Sequence, residues 1–152
     1  MHLVDATESP ALSETTESLM FRLEDVPRHI RSMLDTALEG YALTRTQWRL
    51  LAYVFRGDGL TQTELARFLE LERATVGQAI DALEAKRLVL RNPIPGDRRA
   101  WAIGATPEAH ALLPDLQRIG AEVSAQLFRG FDDTDLATLR TLLERMNRNL
   151  AD

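Results

Sequence analysis

Residues 61–103 read TQTELARFLELERATVGQAIDALEAKRLVLRNPIPGDRRAWAI, and this stretch decides the fold. It opens with Thr61 and, three residues on, Glu64, which is the spacing of a capping box. A helix is expected from there to about Glu70, with Leu65, Phe68 and Leu69 inward. A second is expected from about Arg73 to Lys86, with Val76, Ala79, Ile80 and Leu83 inward. Its outward residues are then Arg73, Thr75, Gly77, Gln78 and Asp81. The pattern next loses its helical period. Leu88-Val89-Leu90 reads as a short strand, Asn92 to Asp97 as turn chemistry, and Ala100 to Ile103 as the returning strand. The loop of this hairpin is expected to carry Arg91, Arg98 and Arg99.

Upstream, Thr44 and Gln47 form another capping-box pattern. It opens a helix to about Arg56 that places Trp48, Leu51 and Phe55 on one face, and Gly57-Asp58-Gly59 breaks it. Before that, Leu19, Leu23, Val26, Ile30, Met33 and Ala37 recur at alternating steps of four and three. Such a narrow seam packs on another helix. Pro27 lies inside it and predicts a kink, because the seam keeps its phase across the proline. Residues 1–16 are polar and aperiodic and read as a mobile tail.

Downstream, Thr106-Pro107 is a helix start with Thr as N-cap and Pro at the first helical position. That helix is expected to reach about Arg129, with Leu112, Leu116, Ile119, Val123 and Leu127 inward, a bend at Pro114 and a stop at Gly130. A last helix begins at Asp132 or Asp133, and its Leu136, Leu139, Leu143, Met146 and Leu150 form a second association seam.

Composition narrows the function. The chain has 152 residues, a net charge of −5 and no cysteine. A disulfide framework, Cys-based zinc and a thiol nucleophile or redox sensor are excluded. No apolar run reaches the roughly 18–20 residues of a membrane span. Met1 to Glu17 has neither a basic n-region nor an apolar h-region, so a cytoplasmic location is expected. The three histidines, His2, His29 and His110, lack metal-ligand spacing. With no phosphate loop or nucleophile elbow, neither a cofactor nor an enzymatic activity is expected.

The acidic total hides a segregation. Residues 1–40 carry 3 basic and 8 acidic side chains, residues 41–105 carry 10 and 7, and residues 106–152 carry 5 and 8. The middle alone is basic, which suits a polyanion partner. Three short helices followed by a basic hairpin make a winged helix-turn-helix. The expected class is mainly α with a small β-hairpin wing (α+β), flanked by N- and C-terminal dimerisation helices. The expected division is a tail (1–16), a dimerisation helix (17–43), a DNA-binding domain (44–105) and C-terminal dimerisation helices (106–152). In this motif the second helix enters the major groove, where Thr75 and Gln78 could hydrogen-bond base edges. Arginine at the hairpin suits a narrow minor groove. Thr61, Arg73, Gly77 and Arg91 complete the candidate DNA-binding set with Arg98 and Arg99.

These residues resemble a known family. Leu43-Thr44-Arg45-Thr46-Gln47-Trp48-Arg49-Leu50-Leu51 looks like the start of the second helix of MarR-family regulators. Leu65-Ala66 through Leu83-Glu84-Ala85-Lys86 is similar to their helix-turn-helix, and Gly96-Asp97-Arg98-Arg99-Ala100 with Thr106-Pro107 to their wing and fifth helix. The resemblance covers about residues 18–150 and lies closest to the SlyA-type branch. It implies a homodimeric transcription factor, commonly a repressor, on a pseudo-palindromic operator in double-stranded DNA. It implies a dimer built from the first, fifth and sixth helices, here with Leu19, Leu23, Leu136, Leu139, Leu143, Met146 and Leu150 at the interface. It further implies a wing arginine, Arg98 or Arg99, in the minor groove, held by Asp97. A small aromatic or phenolic effector would bind between the dimer helices and the winged domain, with His29, Tyr41, Trp48 and Arg49 as candidates. The chain departs from the family pattern at Ile94, where many members have Asp, and at Arg87, where a glycine is usual. It also departs at Gln78, often basic in SlyA-like proteins, and at Trp101, where a polar or basic residue is usual. Trp101 is expected to pack against the helices. The competing reading is a winged-helix protein–protein adaptor without specific DNA binding.

Overall fold

The structure, a computed structural model, describes residues 16–151 except Asp58. All but the last residue of the expected tail therefore lies outside the described residues. Helix α1 (Thr16–Leu38) leads through one 3-10 turn (Glu39–Tyr41) into α2 (Arg45–Arg56). Then follow β1 (Leu60–Thr61), α3 (Gln62–Leu69), α4 (Arg73–Ala85), β2 (Val89–Ile94), β3 (Asp97–Ala105), α5 (Pro107–Leu127) and α6 (Asp133–Leu150). The chain is mostly helical with one three-stranded antiparallel sheet in the order β1-β3-β2, the winged-helix architecture expected. No helix among the described residues is long and apolar enough to cross a membrane.

The capping boxes form as read. The Thr44 side chain accepts from the Gln47 N–H at 3.2 Å, and Gln47 Oε1 accepts from the Thr44 N–H at 3.2 Å. Thr61 and Glu64 reciprocate likewise at the start of α3. Donation from the Thr61 N–H, then from its hydroxyl, holds the Glu64 carboxyl below its ordinary pKa. A lowered folded-state pKa stabilises the fold above the carboxylate's unfolded range and is lost as pH falls through the folded value.

The core is one cluster. Leu50, Leu51 and Val54 of α2, Leu65 and Leu69 of α3, and Val76, Ile80 and Leu83 of α4 meet Ile103 of β3 and Leu116 and Ile119 of α5. The α4 stripe is the one expected. In α3 the third inward residue is Ala66 rather than Phe68. Phe68 sits at the rim, stacked on Tyr53 with ring centroids 5.6 Å apart. Pro27 and Pro114 lie inside helices that continue through them.

The hairpin is longer than expected. Val89 to Ile94 pairs with Asp97 to Ala105, leaving only Pro95 and Gly96 as the turn, with Gly96 at φ 85°. Arg91, Arg98 and Arg99 thus lie on strands, not in a loop. Ladder pairing overrides the turn propensity of Asn92 and Pro93, because the partner strand supplies the hydrogen bonds.

At the end of α4 the Leu88 N–H donates to the Leu83 carbonyl (2.9 Å) and the Arg87 N–H to that of Glu84 (2.9 Å). This is a Schellman motif, and it puts Arg87 at φ 59°, the left-handed conformation that glycine adopts without strain. Arg87→Gly is expected to stabilise the fold by about 1 kcal/mol, read as a higher urea midpoint with unchanged slope. An unchanged or lower midpoint would show that the arginine is not strained there. One residue earlier, Lys86 Nζ donates to Gln47 Oε1 (2.9 Å) and to the Ala42 carbonyl. It ties the end of α4 to the junction of α1 and α2.

The outer helices carry little core. Leu38 is the one buried residue of α1, and no residue of α6 is buried.

Candidate nucleic-acid interface

Helices α3 and α4 form the helix-turn-helix. Leu71 N–H donates to the Ala66 carbonyl at 3.0 Å across the turn, and Gln62 Nε2 donates to the Arg73 carbonyl at 3.0 Å. Burial of Val76, Ala79, Ile80 and Leu83 leaves Arg73, Thr75, Gln78 and Asp81 exposed along one face of α4. Gly77 does not share that exposure. It is half-buried beneath Gln62, and a Cβ there would come within 2.8 Å of Gln62 Nε2.

Beside this face stands the wing. Asp97, Arg98 and Arg99 are all exposed on β3. Asp97 Oδ1 accepts from the Arg99 backbone N–H at 2.9 Å. The aspartate therefore braces the turn through the main chain, not through an arginine side chain as the resemblance implies. Arg91, on β2, lines the trough between wing and helix and is also paired within the fold. Its guanidinium bonds Asp81 Oδ1 and Glu84 Oε2 of α4, each at 2.5 Å. The Asp81 hydrogen bond first, and the field of both acids, hold Arg91 above its ordinary pKa against some burial. These pairs fasten the wing to α4. Two acids ten and seven residues upstream gave no local signal of this pairing.

Between the wing and the start of α3 runs a trough of about 270 Å³. Arg73, Arg99, Trp101 and Thr61 line it, and no lining residue is acidic. The Thr61 hydroxyl donates to Glu64 Oε2 at 2.9 Å, so it is already engaged in its capping box. Trp101, expected to pack inward, is instead 47% exposed. It lies opposite Pro93, beyond the point where β1 ends its pairing at Thr61 and Ala102, so no strand covers it on that side.

The four effector candidates do not converge. Trp48 lines a cavity of about 280 Å³ between α2 and α5 with Ala52, Phe55, Leu116 and Gly120, and its Nε1–H donates to the Leu116 carbonyl at 3.3 Å. His29 faces a separate hollow between α1 and α5 with Met33 and Val123. The Tyr41 hydroxyl accepts from Arg118 at 2.9 Å, and Arg49 is exposed. Residues close in sequence are dispersed here because the 3-10 turn and a left-handed Ala42 redirect the chain between α1 and α2.

The seam residues are mostly exposed. Leu19, Met20, Phe21, Leu23 and Val26 of α1, and Leu142, Leu143, Met146 and Leu150 of α6, stand in solvent, whereas Leu136 and Leu139 are half-buried.

Comparison with known proteins agrees with this geometry. A family model described as the MarR family matches residues 43–100. The transcriptional regulator PA3341, of known structure, is 33% identical, with 88% of this chain and 98% of that one covered and a TM-score of 0.77. A MarR transcriptional regulator from Methanosarcina mazei Go1 is 27% identical, covering 88% and 96%, with a TM-score of 0.78. A mutant MarR from E. coli complexed with operator DNA shares the fold at a TM-score of 0.77 and 22% identity, over 85% and 93% of the two chains.

Proposed function

The chain belongs to the MarR family, and from that premise we propose that it is a homodimeric transcriptional regulator of the SlyA type, acting as a repressor on a pseudo-palindromic operator. One observation carries the reading. Arg73, at the start of the exposed polar face of α4, and Arg99 of the wing line a common trough without acidic lining. Recognition helices of this kind enter the major groove, and Thr75 and Gln78 are placed to meet base edges there. Arg98 and Arg99 serve the adjacent minor groove. The exposed apolar seams of α1 and α6 supply the dimer interface, since patches of this kind mark association surfaces. Two recognition helices would then lie about one DNA turn, roughly 34–36 Å, apart.

The effector is a small aromatic or phenolic compound. The Trp48 cavity between α2 and α5 suits it, with apolar walls and Arg56 and Gln117 as polar groups. A ligand wedged there changes the spacing of the two recognition helices and so weakens operator binding. The reaction is binding and release, with no turnover and no cofactor.

The test is a titration of the purified protein against its own upstream DNA at several salt concentrations, repeated with a panel of aromatic acids. Tight, sequence-selective binding whose log K falls steeply with log salt is expected, with affinity reduced by at least one acid. Weak, sequence-blind binding would overturn the regulator and leave the adaptor reading.

A further inference from the structure

The trough between wing and helix holds a residue that a purely electrostatic contact does not need. Trp101 and Ile103 project from one face of β3 by strand alternation, and Arg99, across an irregularity in the β2–β3 register, lines the same trough. Ile103 is buried in the core, Arg99 lies toward the tip, and Trp101 sits between them with nearly half its surface in solvent. Its neighbours in the trough are Arg73, from the start of α4, and Thr61 and Gln62, from the start of α3. An indole left exposed among cations is not completing the core.

We propose that Trp101 is a DNA-contact residue that packs its ring on the deoxyribose of the strand lying between the two grooves and donates its Nε1–H to a phosphate. The inference rests on the DNA reading above. A recognition helix in the major groove and a wing in the minor groove leave one backbone strand crossing the trough. Sugar rings offer an apolar surface and phosphates an acceptor, and indole matches both with an apolar body and one polar edge. Arg73 and Arg99 supply the charge on either side, while the Arg91 charge is offset by Asp81 and Glu84. The contact is non-ionic, so it adds affinity without releasing a counterion.

Salt dependence and fluorescence test it together. W101A is expected to weaken operator binding about tenfold, the size of one aromatic side chain losing its packed partner, at an unchanged slope of log K against log salt. The chain has two tryptophans, so W101F retains only Trp48. Operator DNA is expected to quench wild-type emission and to leave that of W101F unchanged. W101F keeps the ring volume and so reports even where W101A disturbs the fold. Binding by W101A within about twofold of wild type, an altered salt slope, or equal quenching in wild type and W101F would each overturn the Trp101 contact alone. Wild-type protein without specific operator binding would instead overturn the DNA reading itself.

Discussion

Replacing both Arg98 and Arg99 by alanine is expected to lower operator affinity by about two to three orders of magnitude near physiological salt. Both side chains are exposed on the wing, and among the described residues neither enters an ion pair. Their charge is therefore free for phosphate, unlike that of Arg91. A dimer presents two wings, so up to four cation–phosphate contacts vanish. At about 0.9 per contact, the slope of log K against log salt should flatten by roughly 3 to 4. Fluorescence anisotropy of labelled operator from low to high salt measures both quantities. Folding and dimerisation should persist, because Asp97 braces the turn through the backbone N–H of residue 99, which alanine retains. Unchanged affinity and slope would remove the wing from the interface.

Leu139→Asp with Leu143→Asp is expected to turn the proposed dimer into a folded monomer. No residue of α6 is buried within one protomer, and Leu143 is 43% exposed. Aspartate at these positions therefore costs the isolated chain little. In a two-fold dimer each substitution occurs twice, and burying an unpaired carboxylate costs several kcal/mol or more. Light scattering should give half the native mass, with helical circular dichroism retained. Operator affinity should fall as well, since the two half-sites are no longer read together. A stable dimer would move the interface off α6.

These expectations differ in how far the sequence alone could carry them. Thr44 with Gln47 and Thr61 with Glu64 were readable because a capping box closes within four residues. The stripe Val76, Ala79, Ile80 and Leu83 was readable because helical period maps directly onto burial. The helix-turn-helix and its exposed Thr75 and Gln78 followed from those two signals. Strand β1 was not legible: two residues show no alternation, and Leu60-Thr61 becomes a strand only because β3 pairs with it. The role of Arg91 was hidden for a similar reason. An ion pair from β2 to α4 needs the wing folded back on the helix before the charges meet. Gly77 and Trp101 differ in exposure from expectation for opposite reasons. A glycine on a polar helix face looks exposed until Gln62 is laid over it. A tryptophan looks like core until the strand beside it ends too soon to cover it.

The two hydrogen bonds of Lys86 have a mechanical consequence. Its ammonium grips Gln47 and the Ala42 carbonyl, while its backbone ends α4. Helix α4 is thereby hinged at its far end to the elbow where α1 hands over to α2. Such a lever does not pivot freely. The other end is held too, since Gln62 of α3 donates to the Arg73 carbonyl and the α4 stripe lies in the core, so the helix is fixed at both ends against the elements around it.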